Sequence, residues 1–340
     1  MGESWEHEEV VTRLGRRSGV PVTVAVHSRR LGPAAGGIRL RQYATWQDGL
    51  ADALRLARGM TYKNAVAGLA FGGGKTVIAV PSGVALTPAL RADALADAGD
   101  LIASFEGSYL AGPDIGTGQE DMLYLRSFTD HVFCLPEAHG GTGSSSGPTA
   151  RGVLAAVRAG MSSVFGTSTV AGRRVVVVGM GSVGTLLARD LSAQGASVVV
   201  ADVDETRCAG YEQVAVADAY SLPADVLVPA AVGGVIGEGV RAPLVVGPAN
   251  NQLVSDDVAA SLNASGVVWV PDFVASAGGV VYTLGREASG LDHDAAMAQV
   301  ETIEETVTTL LAASAAHGAT PLAEALALAE RRLAPAPSRV

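Results

Sequence analysis

Lysine is almost missing from this chain. Of its 24 Lys and Arg residues only Lys63 and Lys75 are lysine, and both fall within one short stretch, Gly59 to Lys75, GMTYKNAVAGLAFGGGK. Wherever a cation has only to face solvent or pair with a carboxylate the chain uses Arg, whose guanidinium, with a pKa above about 12, stays charged in any protein site. Two ammonium groups kept close together point to work that a guanidinium cannot do. A lysine that is desolvated or set beside a second cation can be pushed toward neutrality and serve as a base. The plainer alternative is a pair of surface lysines that fall close by chance.

Other shortages narrow the class. Only Cys134 and Cys208 are present, far apart and without a CxxC or Cys/His cluster, which suits reduced thiols in a cytoplasm. The six His show no ligand spacing such as HExxH, so no metal is expected. Positive charge is short: a net charge of -10, with no basic stripe, argues against nucleic acid as a partner. No apolar run is long enough for a membrane span, and the acidic start MGESWEHEEV does not read as a signal peptide. What remains is 340 residues, 48% apolar and 17% charged, enough to bury two cores.

After an acidic lead-in, Val20 to His27 alternates like a strand, and Leu31 to Gly37 is expected to be a turn-rich loop. From Thr45 or Trp46, apolar Leu50, Ala53, Leu54, Ala57 and Met60 recur at helical spacing, which places Lys63 near a helix end. Gly72, Gly73 and Gly74 are read as a flexible turn that aims Lys75 from the start of a strand, Thr76 to Val80. Thr87 and Pro88 open a second helix to about Phe105, and a short strand from Tyr109 ends in a Pro-Asp turn. Asp114 on that turn is either a functional carboxylate or the cap of a helix from Thr117 to Arg126. The low-complexity run from Gly140 to Pro148 is read as a linker, or else as an ordered loop lining a cleft, and a helix is expected from Thr149 to about Val164.

Arg173 to Gly184, RRVVVVGMGSVG, is an apolar strand running into Gly179, Gly181 and Gly184. Such glycines make a tight turn, let backbone approach a pyrophosphate, and pack the helix whose N-terminus, with Ser182 and Val183, favours the anion. A helix to Ala193 and a second apolar strand, Ala196 to Ala201, complete the context the motif requires. Asp202, eighteen residues past Gly184, stands where a carboxylate accepts both ribose hydroxyls of NAD and repels the 2'-phosphate of NADP. Arg207 shortly after it either meets such a phosphate or is an ordinary solvated residue. Further strands are expected at Val226–Pro229, Leu244–Val246 and Val267–Val270. The loops PAAVGGVI, with Ala230, and GPANNQL, with Asn250, would sit at the ligand-binding edge of the sheet. Two helices, Asp292 to about His317 and Pro321 to about Leu333, finish the chain.

Taken together, GMTYKNAVAGLAFGGGK, GPDIGTGQEDM, VVVVGMGSVG, GPANNQL and PDFVASAGG resemble, in order, the leucine, valine and phenylalanine dehydrogenases of the glutamate dehydrogenase superfamily. The resemblance implies an α/β substrate domain, residues 1–138 completed by a C-terminal helix at about 320–334. It also implies a Rossmann-type NAD-binding domain, 149–318, joined through 139–148, with catalysis in the interdomain cleft. It implies reversible oxidative deamination of an L-amino acid to a 2-oxo acid and ammonia, with NAD as cofactor, in a homo-oligomer such as a dimer or octamer. Carried over by position, Lys63 binds the substrate carboxylate, with Gly37, Gly112 and Ser276 also on the substrate. Lys75 is the base that activates water, Asp114 shuttles protons with the amino nitrogen, and Thr149 lies near the nicotinamide carboxamide. The chain departs from the family pattern at Ser276, where the family has Asn, at Ile38, where Thr or Cys is common, and at Ala231, where Cys is frequent. The absence of further charged groups favours an apolar substrate over glutamate. Gly112 and the Ser-rich 140–148 run resemble the phenylalanine enzymes, whereas β-branched Val300 and Ile303 would suit a branched-chain pocket or simply pack a core. An aromatic substrate is preferred, with leucine or valine next; a specialised paralogue acting on an unusual amino acid or imine, and a non-catalytic dinucleotide-binding paralogue, are the alternatives.

Overall fold

The computed structural model describes residues 6–334. These residues divide into two compact units, the first formed by residues 6–144, 283–291 and 329–334 and the second by 145–282 and 292–328. In the first unit the elements are β1 (Glu9–Leu14), β2 (Pro21–Ser28), β3 (Ala34–Tyr43), α1 (Trp46–Val66), β4 (Gly72–Pro81), α2 (Pro88–Ala103), β5 (Tyr109–Pro113) and α3 (Gln119–Leu125). The strands form one sheet in the order β1-β2-β4-β3-β5. β1 and β2 are antiparallel to their neighbours, and β4, β3 and β5 run parallel.

Period-two alternation explains the layers. Val22, Val24, Ile38, Leu40, Ile78 and Val80 face a core shared with Leu95, Ile102, Met122 and Leu125 of α2 and α3. On the opposite face Ala25, Val77 and Ala79 meet Ala53 and Ala57 of α1. The odd-numbered residues of β3 and β4, Arg39 and Lys75 among them, therefore point to the face that α1 covers. α1 begins with a capping box in which Thr45 and Asp48 satisfy each other's backbone N–H. Its far end is closed by Arg332, whose Nη1 donates to the carbonyls of Ala65 and Val66.

Three sequence expectations change here. The supposed lead-in contains the edge strand β1, whose alternation is masked by exposed Thr12 and Arg13. The supposed loop from Leu31 is strand from Ala34, and Gly36 and Gly37 lie inside it. β4 starts at Gly72, so its glycines form no flexible turn. A Cβ on Gly73 would stand 2.0 Å from the Thr61 nitrogen, and one on Gly74 would stand 2.7 Å from the Tyr109 ring. They are glycines because strand, helix and ring are packed against the backbone.

The second unit contains α4 (Ser146–Phe165), β6 (Arg174–Val178), α5 (Ser182–Ala193), β7 (Ser197–Ala201), β8 (Glu212–Gln213), α6 (Val216–Ala219), β9 (Val226–Pro229), β10 (Leu244–Val245), α7 (Asp257–Ala264), β11 (Val268–Trp269) and α8 (Asp272–Ala275). α9 (Gly278–Glu287), α10 (His293–Glu301), α11 (Ile303–His317) and α12 (Pro321–Leu333) follow; α9 and α12 each end in the first unit. All six strands are parallel in the order β11-β10-β9-β6-β7-β8. This is the doubly wound dinucleotide-binding arrangement, with the reversal of strand order between β6 and β9.

Helix α4 starts at Ser146, because Pro148 is tolerated in a first turn that needs no N–H there. The run from Gly140 is an ordered loop, with Gly141 and Gly143 bonded back to Pro136 and Leu135 and Thr142 donating to Glu287. The stretch expected as one helix from Asp292 breaks at Thr302 into α10 and α11. The sequence expectations contain no counterpart of α8 and α9. Val300 and Ile303 are fully packed core, Ile303 lying against Gly152 of α4, so they act as packing residues in this unit.

Candidate active site

On the first unit's α1 face the chain gathers a chain of charges. Lys75, 5% exposed, places Nζ 2.9 Å from Oδ2 of Asp114. The same oxygen accepts from Arg39 Nε at 2.8 Å. Arg39 Nη1 donates to Asp52 Oδ2 at 3.0 Å, and Asp52 also accepts from Tyr43 Oη at 2.7 Å and Arg55 Nη2 at 2.7 Å. Asp114 is held from below by Thr117, whose hydroxyl accepts from the Asp114 N–H and donates to the Ile38 carbonyl. α3 is capped instead by Asp121, which accepts from the Gly118 N–H, so the helix-cap alternative for Asp114 falls away and its carboxylate is free for the cation cluster.

These contacts set the protonation states. Burial, the largest influence, pushes the Lys75 amine down from its ordinary value; Asp114 opposes that shift and Arg39 adds to it. For Asp114 burial acts to raise the carboxyl, but the Lys75 and Arg39 cations outweigh it and hold the group at about 2. Tyr43 is pushed up by burial and by its bond to Asp52. A depressed amine touching a carboxylate that is ionised near neutral pH is an acid-base pair.

Gly37 belongs to this cluster: a Cβ there would stand 2.8 Å from Cβ of Asp114 and 3.1 Å from Lys75 Nζ. Lys63 sits half-buried in the last turn of α1, the helix covering the face from which Lys75 projects. Gly112 is different from the sequence expectation. The ring of Phe133 lies 2.6 Å from where its Cβ would be, so the room a missing side chain leaves is filled by the chain itself and does not enlarge a substrate pocket. Sequence reasoning missed Arg39, Asp52 and Tyr43. The available signal was a charged residue between Ile38 and Leu40 in an apolar alternating run.

In the second unit the glycine-rich loop stands at the end of β6, at the reversal point of the sheet. Gly179 has φ +106°, which only glycine adopts readily, and a Cβ on Gly184 would meet the Gly179 carbonyl at 1.8 Å. Over Gly181, the N-cap of α5, no atom lies within 4 Å of a Cβ position. The loop thus leaves open backbone at a helix N-terminus whose first residues are Ser182 and Val183, which fits a pyrophosphate. Ala230 follows β9 and bonds to the Val178 carbonyl, and Ala231 packs against Gly179. Asp202 directly follows β7 and accepts from the N–H groups of Asp204 and Met180, bonds that lower its carboxyl from the ordinary value. A carboxylate can accept further bonds from ribose hydroxyls at the lone pairs these leave. Arg207 is turned to Asp204, at 3.2 Å.

Thr149 lies in the first turns of α4, with its hydroxyl 2.5 Å from the Cβ position of Gly279. Ser276 is buried at the end of α8. Asn250 is exposed, next to Asn251, whose φ is +52°. Their loop is held by Gln252, fully buried, which donates to the carbonyls of Gly247 and Ala249 and accepts from Trp269 Nε1. Among the described residues no group of three or more His, Cys, Asp or Glu is arranged to hold a metal, and no helix is long and apolar enough to cross a membrane.

Comparison with known proteins agrees with this assembly. Residues 9–131 match the model of the Glu/Leu/Phe/Val dehydrogenase dimerisation domain, and residues 200–326 match that of the glutamate/leucine/phenylalanine/valine dehydrogenases. The chain is 35% identical to leucine dehydrogenase of Bacillus subtilis, over 97% of this chain and 92% of that protein. It is 37% identical to valine dehydrogenase of Streptomyces coelicolor, over 98% and 94%. The crystal structure of L-tryptophan dehydrogenase from Nostoc punctiforme superposes with a TM-score of 0.80 at 30% identity, covering 96% of each chain. With the Rossmann sheet in one unit and the buried Lys75–Asp114 pair in the other, the chain belongs to the glutamate, leucine, phenylalanine and valine dehydrogenase family.

Proposed function

We propose that this NAD-dependent amino acid dehydrogenase oxidatively deaminates an apolar L-amino acid to the 2-oxo acid and ammonia, reversibly, with Lys75 and Asp114 as its catalytic pair. The observation that carries the reading is the buried 2.9 Å contact between the depressed amine of Lys75 and the Asp114 carboxylate. Gly179, Gly181, Ser182, Val183 and Gly184 would hold the pyrophosphate of NAD, which when bound would supply the acceptor for the hydride of the substrate Cα. Asp202 would hold a ribose, and Thr149, Ala230 and Asn250 are assigned to the nicotinamide half.

Lys63 binds the α-carboxylate, with Gly37 of the same unit against the substrate. Neutral Lys75 takes a proton from the water that adds to the imino carbon. While Lys75 is neutral, Asp114 has lost one of its two cations, so its carboxylate is more basic and takes a proton from the substrate ammonium before the hydride leaves. Once Lys75 carries the water's proton, Asp114 returns its own to the nitrogen of the carbinolamine, and the hydroxyl proton passes to solvent as the C–N bond breaks. The nitrogen then leaves as ammonia.

Within unit 1, Arg39 and Arg55 are already engaged by carboxylates, which leaves neither arginine for an acidic side chain and supports an apolar substrate. The likeness to a tryptophan dehydrogenase supports an aromatic one, and the identity to leucine and valine dehydrogenases supports a branched-chain one. We place the aromatic reading first. The match to a dimerisation-domain model supports a homo-oligomer. The test is NADH formation, followed by its absorbance at alkaline pH, with phenylalanine, tryptophan, leucine, valine and glutamate supplied separately. Turnover on an apolar substrate is expected; turnover on glutamate alone, or on none while NAD still binds, overturns the reading.

A further inference from the structure

Asp114 carries two cations on one oxygen. Oδ2 takes Lys75 Nζ and Arg39 Nε, while Oδ1 is hydrogen-bonded to none of the described residues. Arg39 is 8% exposed and stands mid-strand between apolar residues, where a charge is costly to bury unless it is fully paired. Its planar fork is split: Nε goes to Asp114 and Nη1 to Asp52, on two different elements. We propose that Arg39 is a positioning residue, whose guanidinium, shared between Asp114 and Asp52, orients the Asp114 carboxylate under Lys75 and turns Oδ1 toward the substrate nitrogen. The inference rests on the dehydrogenase reading and adds to it a residue that touches no substrate.

Geometry makes the role specific to arginine. An ammonium offers one centre and cannot meet two carboxylates in the fixed, planar way that Nε and Nη1 do. The Thr117 hydroxyl fixes the backbone of Asp114, Arg39 fixes the carboxylate, and Tyr43 and Arg55 fix Asp52 in turn.

Electrically, Arg39 and Asp52 act on Lys75 with opposite sign, the first against its charged form and the second for it. The titratable and charged groups on the elements packed around Lys75 are Arg39, Arg41 and Tyr43 of β3, Asp48, Asp52, Arg55, Arg58, Tyr62 and Lys63 of α1, His27 of β2, Tyr109 of β5, and Asp114. Those opposite shifts follow from charge alone; what a merely structural ion pair would not produce is a fall in kcat when the charge is kept and the fork is lost.

The two lysines make that titration directly readable. Full-length protein labelled at lysine Cε gives only two side-chain NMR signals, assigned with Lys63→Arg. Arg39→Met is expected to move the Lys75 titration to higher pH and Asp52→Asn to lower pH. The acidic limb of kcat/KM, which reports the base, should follow each. Arg39→Lys keeps the charge and loses the fork; it should leave the limb near its original pH while kcat falls about 10- to 100-fold. If Arg39→Met does not fold, the other two variants carry the test. Shifts of the same sign, no shift, or full kcat in Arg39→Lys overturns the proposal. Absence of turnover in the unaltered protein would sink the dehydrogenase reading alone, because the NMR titrations judge Arg39 without activity.

Discussion

The position a Cβ would take on Gly73 lies 2.0 Å from the backbone nitrogen of Thr61. β4 and α1 thus meet backbone to backbone, and the strand bearing Lys75 is locked to the helix bearing Lys63. Gly73→Ala must push the two apart, since neither backbone can yield locally. A loss of roughly 1–3 kcal/mol or more is expected, with turnover falling further than stability because the catalytic amines are displaced. Gly59→Ala, on the exposed side of the same helix with no atom within 4 Å, is the control; it should stabilise by up to about 1 kcal/mol. Thermal unfolding and NADH formation on both variants check the pair.

Lys75→Ala removes the base and leaves Asp114 paired with Arg39 alone. Turnover is expected to fall by about 10²–10⁴-fold, the usual contribution of a positioned acid or base. NAD affinity, measured by fluorescence titration, should stay within about twofold. Turnover near that of the unaltered protein would remove Lys75 from the mechanism.

Much of this was legible because the needed residues break their own surroundings. Lys63 and Lys75 stand out in a chain that otherwise uses Arg, and GMGSVG stands between two apolar strands with Asp202 at the end of the second. What was not legible came from contacts distant in sequence. Gly72 to Gly74 look the same as a flexible turn or as a strand pressed against α1, β2 and Tyr109, and only the partners decide. Gly112 looks like open space until Phe133, far along the chain, fills it. Arg39 and Asp52 are thirteen residues apart and Arg39 and Asp114 seventy-five, so no local pattern announces the network that joins them. The break at Thr302 carries no Gly or Pro to mark it.

Asp202 is expected to set the choice of dinucleotide. Its carboxylate is fixed by the N–H groups of Met180 and Asp204, and Arg207, the cation nearby in sequence, is engaged by Asp204. Asp202→Ser removes a charged acceptor worth about 1.5–3 kcal/mol in hydrogen bonds to ribose. KM for NAD should rise about tenfold, and kcat/KM for NADP relative to NAD should rise about 10- to 100-fold. Steady-state kinetics with both cofactors decides it; an unchanged ratio would show that Asp202 does not read the ribose.

His27 should give the fold a pH-dependent weakness away from the catalytic pair. Burial, then the charges of His7 and Arg58, push its imidazole down to about 4 from 6.5, while Nδ1 is hydrogen-bonded to Thr61 Oγ1 at 2.9 Å. Above pH 6.5 the ring is neutral whether the chain is folded or not, and it has no effect on the balance. As pH falls from 6.5 toward 4 the unfolded chain binds a proton that the folded chain refuses, so stability declines through that window and the penalty is complete below it. His27→Asn keeps a group able to bond Thr61 but cannot titrate. Urea unfolding at pH 8 and pH 5 should therefore show a larger drop for the unaltered protein than for the variant, by on the order of 1 kcal/mol. Equal drops would mean that His27 takes up its proton in the folded chain as readily as in the unfolded one.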